Sequence, residues 1–584
     1  MADPLHTLGP AFQAAIAAAF GPEHAGADPA LRRSDRADYQ ANVALGLRKQ
    51  LGGAPRDIAQ KIVEHLDLRG VAERVEVAGA GFINVTLDAG FLARAVSEVA
   101  RDPRLGIQAG EPETVAIDYS SPNVAKEMHV GHVRSTILGD ALARVLEAVG
   151  DRVIRQNHLG DWGTPFGMLL EHLVDDGGSA PKPPVDDGGS EPSVGDLNTF
   201  YQEARRKFDS DPAFADRARR RVVLLQGGDE ATLALWQRFV AESRRYLASV
   251  YAKLGVTLRD SDIVGESFYN PLLPSVLAEL VEKGLARESD GALCVFPPGF
   301  TGREGEPLPL IVRKQDGGYG YATTDLAAVR YRAGTLGARR LVYVVGSPQS
   351  QHLAMVFKVA ELAGWLGDGG SRAEHVAFGS ILGADKKMFK TRAGETVRLV
   401  DLLDEAVQRA RDVIAEKNPD LDAVTREDVA RAVGIGAVKY ADLSNDRIKD
   451  YVFDWARMLA FEGNTAPYLQ YAHARIRSIF RRADQAVPAA DALVIAAPAE
   501  RVLALAILGF GEVVHEVAET LQPHRLCTYL YGLSAAFSTF YEQCPVLKAK
   551  TEEERASRLA LCDLTARVIA RGLDLLGIEA PPQM

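Results

Sequence analysis

The feature that most restricts the fold of this 584-residue chain is the segment SSPNVAKEMHVGHVRSTILGD, which runs from Ser120 to Asp140. An apolar stretch at 114–121, TVAIDYSS, leads into it and predicts a buried strand. DRVIRQNHLGDWG follows the segment and predicts a second strand. With a helix between them the strands form a βαβ unit of a doubly wound parallel sheet, in which ligands bind at the carboxyl ends of the strands, next to a helix N-terminus.

The helix between these strands is predicted to be amphipathic. Eight apolar residues fall on one stripe of it: Val133, Ile137, Leu138, Ala141, Leu142, Val145, Leu146 and Val149. Four charged residues fall on the opposite face: Arg134, Asp140, Arg144 and Glu147.

Two histidines flank a glycine where the first strand meets this helix: His129, Gly131 and His132. A metal site, a chance cluster and a nucleotide site are the three interpretations. Zinc needs three or four ligands, and no Cys or His at usable spacing completes this pair. A glycine lets adenine or ribose lie against the backbone, and imidazoles donate hydrogen bonds to phosphate. Because Lys126 adds a cation three residues upstream, we favour the nucleotide site.

A second phosphate-binding element is expected late in the same domain, and SILGADKKMFKTRAGETVRL at 380–399 fits that expectation. Seven of its residues contain four cations: Lys386, Lys387, Lys390 and Arg392. A basic run of this kind is usually a solvated loop. Together with the histidine pair, it predicts a mobile lid over a triphosphate.

The hydrophobic pattern divides the chain into three blocks. Residues 1–108 combine helical patterns with alternating apolar residues, which predicts an α+β domain. Residues 109–450 alternate strands and helices around an insertion at about 172–260, which predicts an α/β domain. Only helical periodicity continues through 451–584, which predicts an all-α domain. The alternating residues of the first block are Val75, Val77, Ile83, Val85 and Leu87.

The insertion contains an Asp- and Gly-rich stretch at 174–196. The string VDDGGS occurs in it twice, beginning at Val174 and at Val185. This composition is typical of an exposed flexible loop.

Composition narrows the possible partners and location. The chain has 67 Lys and Arg against 78 Asp and Glu, a net charge of −11, which argues against DNA binding through bulk charge but not against a local RNA surface. The four cysteines form no CxxC pair, so neither a disulfide framework nor a zinc knuckle is expected. No signal peptide and no stretch of transmembrane length is recognisable, so we expect a cytoplasmic protein without membrane contact.

Taken together, these segments resemble the arginyl-tRNA synthetases, a family of class I aminoacyl-tRNA synthetases. The resemblance covers essentially the whole chain, through GAGFINV, NHLGDWGTPFG, GESFYN at 265–270, YATTDLAAVRYR at 321–332, YLQYAHARIRS and LGIEAPPQM. It implies an N-terminal domain that contacts the tRNA elbow, a Rossmann-like catalytic domain and a helical anticodon-binding bundle of the DALR type. It also implies that L-arginine is activated with ATP and transferred to the 2′-hydroxyl of the terminal adenosine of tRNA(Arg), with bound tRNA needed for activation.

The resemblance assigns a catalytic role to His129, Gly131, His132, Lys126 and Lys390. It extends ATP binding to Pro122, Asn123, Val124, Ala125, Lys126, Glu127, Met128, His129, Val130, Gly131, His132, Gln349, His352, Lys387, Lys390 and Thr391. Two departures from the family pattern leave alternatives open. The lid motif KMFKT either has Lys390 as its second lysine or, shifted by one, has Thr391 there and Lys126 supplying the charge. Gly346 stands where relatives often carry Asp, beside Gln349 and His352.

The amino-acid pocket has to recognise a guanidinium, a planar permanent cation best bound by carboxylates. Glu266 and Asp325 suit that role, and Tyr321, one helical turn before Asp325, could wall the pocket. Alternatively, Asp325 caps a helix and Glu266 is a surface carboxylate. The residues that the resemblance assigns to arginine are Ser120, Asn123, His132, Glu266, Tyr321 and Asp325.

Candidate tRNA contacts lie in both outer blocks. The C-terminal stretch at 468–478 combines aromatic and basic groups that suit stacking of anticodon bases, although helix packing is the alternative for its tyrosines. Asp161-Trp162-Gly163 predicts a tight turn with a buried Trp162. The candidate tRNA-binding residues are Phe82, Asn84, Trp455, Tyr468, Tyr471 and Arg475; others on the same stretch are Gln470, His473 and Arg477.

The expected partners are therefore ATP, L-arginine and tRNA(Arg), with Mg²⁺ entering on ATP and no dedicated protein metal site. A monomer is expected. Three alternatives remain: a class I synthetase for another amino acid, a tRNA-binding paralogue that does not charge tRNA, and a smaller nucleotidyltransferase. The paralogue would be expected to lack His129, His132 or Glu266, and the nucleotidyltransferase has no need of the helical C-terminal block.

Overall fold

The computed structural model describes residues 3–124, 126–177, 195–367, 369–387, 389, 397–483 and 493–584. Its first block is an antiparallel sheet with the strand order β1-β2-β4-β3, covered by helices. The elements are α1 (Pro4–Phe20), β1 (Leu31–Ser34), β2 (Ala37–Ala41), α2 (Val43–Leu51), α3 (Pro55–His65), β3 (Ala72–Ala78), β4 (Phe82–Leu87) and α4 (Ala89–Arg101).

The alternating apolar residues of this block lie on β3 and β4, as predicted. Val75 pairs with Val85 and Val77 with Ile83. The alternating pattern predicts that only one face of β4 is buried, but Asn84, on its other face, is buried too. Asn84 Oδ1 accepts a 2.8 Å hydrogen bond from Gln40 Nε2 on β2.

The central block is built on a parallel sheet with the order β11-β10-β5-β6. Its first elements are β5 (Thr114–Asp118), α5 (Val130–Ala148), β6 (Arg152–Gln156), α6 (Thr164–Asp175), α7 (Gly195–Ser210), α8 (Pro212–Gln226), α9 (Glu230–Leu254), α10 (Glu266–Tyr269) and α11 (Leu273–Glu282). The remaining elements are β7 (Ala286–Ser289), β8 (Ala292–Val295), β9 (Leu310–Arg313), α12 (Tyr321–Arg330), β10 (Arg340–Tyr343), α13 (Ser350–Leu362), β11 (Arg372–His375), β12 (Ile381–Leu382), α14 (Leu399–Lys417), α15 (Ala423–Leu443) and β13 (Tyr451–Val452).

The predicted βαβ unit is present as β5, α5 and β6. Strand β5 lies between β10 and β6, with Val115 beside Arg340 on one side and Val153 on the other. Strands β7, β8 and β9 form a separate antiparallel sheet, and the end of α6 with helices α7 to α9 occupies the range predicted as an insertion. Outside the described residues lie the second VDDGGS copy, the last two residues of the first copy, and positions 388 and 390–396 of the predicted lid, which include Lys390, Thr391 and Arg392.

Helix α5 is buried on almost every side. The predicted apolar stripe is confirmed, but the prediction of an opposite charged face is wrong for two of its four residues: Arg134 and Asp140 are 1% and 2% exposed. Helices α14, α15, α19 and α21 also contact α5, so these charges lie between elements and are paired. Arg134 Nε lies 3.2 Å from an Asp442 carboxylate oxygen, and Asp140 accepts a 2.8 Å bond from Arg144 Nε.

The last block, predicted to be all-α over 451–584, begins with the two residues of strand β13, which pair with β12; its other described elements are helices. These helices are α16 (Trp455–Met458), α17 (Ala466–Ala483), α18 (Pro498–Leu508), α19 (Phe510–Thr520), α20 (His524–Gln543) and α21 (Glu552–Leu575). Side chains of α15 and α17 donate to backbone carbonyls of the tail at 577–584: Lys439 Nζ to Gly577 at 2.6 Å and Gln470 Nε2 to Glu579 at 2.8 Å. None of the helices that the structure describes is long and apolar enough to cross a bilayer.

Candidate active site

The histidine pair caps the N-terminus of α5. His129 is the N-cap residue, and its Nδ1 accepts a 3.0 Å hydrogen bond from the Gly131 amide. The His129 amide in turn donates to Nδ1 of His132 at 3.0 Å, and the two ring centroids are 3.9 Å apart. The reciprocal bonds satisfy amides that a helix N-terminus would otherwise leave unpaired.

These bonds fix the protonation of both rings. Burial lowers the pKa of His132 to about 3, with a further contribution from His129. Burial and the charge of Lys126 also lower the pKa of His129. Both rings are therefore neutral near pH 7, and since each Nδ1 accepts an amide hydrogen, each Nε2 carries the proton. The site presents two neutral N–H donors at a helix N-terminus, which favours an anion.

A glycine is required at position 131 for a structural reason, in addition to the predicted close approach of adenine or ribose to the backbone. A Cβ at this position would lie 2.8 Å from Cε1 of the His129 ring, closer than real Cβ atoms approach. The glycine therefore lets the capping imidazole fold back over the helix start.

A strained turn at Ser120 and Ser121 connects β5 to the residues that lead to the histidine pair. Residues 120–132 are called the nucleotide segment below. Ser120 and Ser121 have φ angles of +69° and +44°, in the left-handed region that L-residues rarely adopt. The Ser121 hydroxyl donates to Asp118 Oδ1 at 2.8 Å, and the Ser121 amide donates to Asn157 Oδ1 at 3.0 Å. These bonds hold the turn that aims the following residues across the strand ends.

The structure places the Ser120 side chain inside the protein. Its hydroxyl bonds to the Tyr251 hydroxyl at 2.8 Å and to Thr136 Oγ1 at 2.9 Å, and the residue is buried. The Ser120 hydroxyl therefore supports the turn, and the assignment of Ser120 to arginine stays a prediction.

The backbone of residues 157–161 forms hydrogen bonds along both of its edges, to the segment before the histidine pair on one edge and to the start of α10 on the other. On one edge the Val124 amide donates to Gly160 at 3.0 Å, and the Gly160 amide donates to Pro122 at 3.2 Å. On the other edge the Glu266 amide donates to Leu159 at 2.9 Å. The exposed side chain of Asn123 lies over Gly160, where a Cβ would come within 2.1 Å of Asn123 Oδ1.

Three carboxylates lie on the second edge: Asp161, Glu266 and Asp325. Burial, followed by the negative charges of Asp161 and Asp325, raises the pKa of Glu266 to about 8. Asp161 accepts bonds from the amide and hydroxyl of Ser267 at 2.8 and 2.7 Å, so its role is to hold the start of α10. The accumulated negative charge suits a cationic ligand.

The two alternatives for the pocket carboxylates are wrong. Helix α12 begins after the N-cap residue Gly320, so Asp325 lies one turn inside the helix and caps nothing. Glu266 is only partly exposed, at the start of α10. Tyr321, predicted as a pocket wall, is 75% exposed at the first position of α12.

Gln349 and His352, both predicted to bind ATP, have different surroundings in the structure. His352 faces the carboxylate side, because its Nε2 lies 2.6 Å from Asp325 Oδ2, whereas Gln349 is exposed. That hydrogen bond to Asp325 raises the pKa of His352. Gly346 itself pairs with Phe378 through the backbone.

The far end of the lid is attached to the histidine segment. The Val130 amide donates to Val397 at 3.0 Å, and the Leu399 amide donates to Met128 at 2.9 Å. Glu127, half-buried, lies 3.5 Å from Arg398 Nη1, and burial raises its pKa. Lys387 is exposed, and Ala125 lies outside the described residues.

A buried polar cluster beneath the site was not predicted. Arg332 Nη2 lies 2.8 Å from Asp118 Oδ2, and the Arg332 guanidinium lies 5.0 Å from the centroid of Tyr343. His158 stacks on Tyr269 with the centroids 5.3 Å apart. The positions of two of these residues could have indicated the cluster from the sequence: Asp118 ends β5 and His158 follows β6, both at the carboxyl edge of the sheet.

The candidate tRNA contacts fall into exposed and buried groups. Tyr471 and Arg475 are exposed on α17, whereas Gln470 and His473 of the same helix are buried against the C-terminal tail. The partly buried residues are Phe82, Tyr468, Trp162 and Trp455, the last with the Arg409 guanidinium 5.1 Å from its ring centroid. Trp162, which was predicted to be buried in a tight turn, is partly buried: it packs against the hydrophobic core, and its ring lies edge-on to Trp236. Asn84 is buried and paired, so its side chain is not a surface contact.

Known families match this chain in all three blocks. Residues 95–455 match "tRNA synthetases class I (R), catalytic domain", residues 6–87 match "Arginyl tRNA synthetase N terminal domain", and residues 469–584 match "DALR anticodon binding domain". Among curated proteins, an arginine–tRNA ligase of Thermobifida fusca is 56% identical over 585 residues, with 100% of each chain covered. One from Klebsiella pneumoniae is 50% identical, with 98% of each covered.

Solved structures agree. The arginyl-tRNA synthetase of Plasmodium falciparum superposes with a TM-score of 0.83 at 28% identity, covering 99% of each chain. That of Thermus thermophilus has a TM-score of 0.78, also at 28% identity, covering 98% of this chain and 99% of its own.

The match over the parallel sheet and its helix-capping histidines defines a class I aminoacyl-tRNA synthetase. The N-terminal match and the full-length relatives narrow the class to one amino acid. The chain belongs to the arginyl-tRNA synthetase family. The predictions of the family, the fold class and the ligase class of enzyme are confirmed.

Proposed function

We propose that this chain is an arginine–tRNA ligase that activates L-arginine with ATP and transfers it to the 3′-terminal adenosine of tRNA(Arg). One observation carries the proposal: the segment 157–161 bonds to the histidine-bearing segment along one edge and to the carboxylate pocket along the other. A phosphate at His129 and a guanidinium at Glu266 would thus be held by the same short stretch of backbone. Activation requires such fixed mutual placement of two substrates.

On the nucleotide side, the Nε2–H groups of His129 and His132 act as donors to the α-phosphate. Because both rings are neutral, they contribute oriented dipoles, and Lys126 contributes a full positive charge. The backbone of 122–130 would line the nucleotide. Lys387, Lys390 and Thr391 belong to the lid in this proposal, and Gln349 keeps its predicted role in binding ATP.

In the activation step, an oxygen of the arginine carboxylate attacks the α-phosphorus. A new O–P bond forms, and the bond from the α-phosphorus to the bridging oxygen of pyrophosphate breaks. The substrate itself is the nucleophile, so the protein has to position the reactants and stabilise negative charge on the phosphate oxygens. In the transfer step, a ribose hydroxyl of the tRNA attacks the arginyl carbonyl carbon and AMP departs.

On the arginine side, Glu266 and Asp325 would bind the guanidinium by charge-assisted hydrogen bonds. Bringing a permanent cation beside Glu266 favours loss of the proton that its raised pKa retains in the free enzyme. Asn123 and His132 would contact the α-amino and carboxylate groups, and Tyr321 would cover the pocket mouth.

Mg²⁺ is part of the proposal as a companion of ATP. Within the described ranges no group of three or more His, Cys, Asp or Glu is placed to hold a metal ion. In this proposal Mg²⁺ enters together with ATP and needs no protein site of its own.

The outer blocks would bind tRNA. We propose that unpaired anticodon bases meet the exposed Tyr471 and Arg475 of α17, that Tyr468 and Trp455 add further contacts to the tRNA, and that the tRNA elbow lies near Phe82. Residues 1–108, 109–450 and 451–584 are the proposed domains. A monomer in the cytoplasm, where tRNA and ATP are found, completes the proposal and can be checked by light scattering and fractionation.

Pyrophosphate exchange measured with each of the twenty amino acids, with and without tRNA, tests the proposed function. We expect arginine-dependent exchange, and we expect it only when tRNA is present. Exchange with another amino acid would identify a different synthetase. Binding of tRNA without exchange or charging would identify a paralogue without ligase activity.

A further inference from the structure

Lys126 rests on an aromatic ring. Its Nζ lies 4.7 Å from the ring centroid of Tyr201 on α7, within the range of a cation–π interaction. Throughout the ranges that the structure describes, Lys126 forms no ion pair with a carboxylate. This cation, whose charge acts on both His129 and His132, is thus held by the helical insertion.

The neighbouring residue fixes the position of Tyr201. Phe200 is buried, its ring stacks on His172 of α6 with centroids 4.6 Å apart, and it lies 5.8 Å from the ring of Phe239 on α9. Helix α7 is therefore anchored on two other helices of the insertion, and Tyr201 projects from an anchored surface.

The same insertion touches the nucleotide segment at two further points, both through tyrosines of α9. The Tyr246 hydroxyl accepts the Met128 amide at 3.0 Å, and the Tyr251 hydroxyl bonds to Ser120. Three tyrosines thus support the segment that leads into the histidine pair. Only Tyr201 contacts a charged side chain of that segment.

An aromatic partner has a consequence that a carboxylate would not have. A carboxylate would orient the ammonium but cancel its charge, whereas a ring attracts it through a quadrupole and adds no net charge. Lys126 therefore stays a full cation while its direction is restricted. Its charge reaches the site, because it contributes to the lowered pKa of both His129 and His132.

We propose that Tyr201 is a positioning residue for arginine activation, holding the Lys126 ammonium beside the nucleotide site with its charge intact. The proposal rests on the proposed function and adds a residue from the insertion to its first chemical step. It requires the ring of Tyr201 and not its hydroxyl.

Kinetics of arginine- and tRNA-dependent pyrophosphate exchange test this requirement. Tyr201→Leu should lower kcat about 2- to 5-fold, the loss that matches an exposed cation–π contact, with the arginine KM unchanged. Tyr201→Phe keeps the ring and should keep the wild-type rate. Phe208→Leu is the matched control, because Phe208 also lies on α7 but faces the guanidinium of Arg219, 5.7 Å away. It should leave the rate unchanged.

A double-mutant cycle with Lys126→Met decides whether the ring acts through the lysine. In that background, Tyr201→Leu should cause no further loss. An equal loss in both backgrounds, or an equal loss in Phe208→Leu, would assign Tyr201 a purely structural role and overturn the proposal.

A second readout does not depend on arginine activity. After reductive ¹³C-methylation, the dimethylammonium signal that disappears in Lys126→Met should be shifted upfield by the ring, and Tyr201→Leu should remove the shift. An unshifted signal in the wild-type protein would overturn the contact. A shifted signal in a protein without arginine-dependent exchange would refute the proposed function and leave the contact standing.

Discussion

His352 Nε2 on α13 lies 2.6 Å from Asp325 Oδ2 on α12, at the wall of the carboxylate pocket. Both side chains are partly exposed, and the hydrogen bond raises the pKa of the histidine. The bond to His352 therefore orients the Asp325 carboxylate, and in the proposed function the other oxygen of this carboxylate meets the guanidinium. The contact also links a residue predicted for ATP with one predicted for arginine.

Asp325→Asn should raise the arginine KM roughly 10- to 100-fold, since a hydrogen bond to a charged partner contributes about 1.5–3 kcal/mol. The ATP KM should stay near the wild-type value, because Asp325 lies on the carboxylate edge of the segment 157–161. Initial rates of pyrophosphate exchange at varied arginine and varied ATP measure both constants. Glu282→Gln, at an exposed position on α11, is the control. A change confined to the ATP KM would mean that the pocket is misassigned.

The arginine KM should depend on pH through Glu266. Its pKa of about 8 means that the free carboxyl is mostly protonated at neutral pH, so binding a guanidinium there also releases a proton. The arginine KM should fall as pH rises from 6.5, by up to about tenfold per unit, and level off above pH 8. Steady-state kinetics at saturating ATP and tRNA between pH 6.5 and 9.5 measure this profile.

Glu266→Gln provides the comparison for that profile, because the amide has the shape of the acid and cannot ionise. Its arginine KM should be higher at every pH and should lack the step near pH 8. A step of the same size in Glu266→Gln would assign the ionisation to another group.

Much of the site could be predicted because its signals are local in sequence. The histidine pair and the start of the helix that it caps lie within four residues. A strand followed by a helix places them at the edge of the sheet. The chemistry that a guanidinium requires, helped by the resemblance, led us to expect Glu266 and Asp325 close together, as they are; that they bind arginine stays a prediction. These inferences need no knowledge of distant contacts.

The rest depends on partners that sequence patterns do not connect. Arg134 pairs with Asp442, 308 positions away, and Asp118 pairs with Arg332 across two-thirds of the catalytic block. Periodicity alone assigns a charged residue to the solvent face, because burial of a charge is favourable only when a partner comes with it. The contact of Tyr201 with Lys126 likewise exists only once the insertion has folded back over the site.

The buried pair of Arg134 and Asp442 should contribute strongly to the integrity of α5. Asp442→Asn leaves the Arg134 guanidinium buried without its counter-charge, which should destabilise the fold by about 3–5 kcal/mol. The midpoint of urea unfolding, followed by circular dichroism, measures the change. Glu427→Gln removes an exposed partner of Arg411 on the neighbouring α15 and should have little effect. Equal effects of the two substitutions would contradict a special role for the buried pair.

On helix α17, substitution of an exposed residue should weaken tRNA binding, whereas substitution of a buried residue should lower stability. Tyr471 is 46% exposed and Arg475 is exposed beside the ring of Tyr541, so each is free to meet an unpaired base or a phosphate. Tyr471→Ala should raise the tRNA KM by roughly 5- to 100-fold, because stacking of one base on an aromatic ring contributes about 1–3 kcal/mol. Its thermal midpoint should not change. Aminoacylation at varied tRNA concentration measures the KM, and differential scanning calorimetry measures the midpoint.

Gln470, one residue before, supplies the contrast on the same helix. It is buried, and its amide donates to Ala432 at 3.0 Å and to Glu579 at 2.8 Å, which fastens the C-terminal tail to α15 and α17. Gln470→Ala leaves these carbonyls unpaired and opens a cavity, so the thermal midpoint should fall by several degrees. The tRNA KM of the folded protein should stay close to the wild-type value. If Gln470→Ala raised the tRNA KM and Tyr471→Ala did not, tRNA would bind through a different face of the bundle.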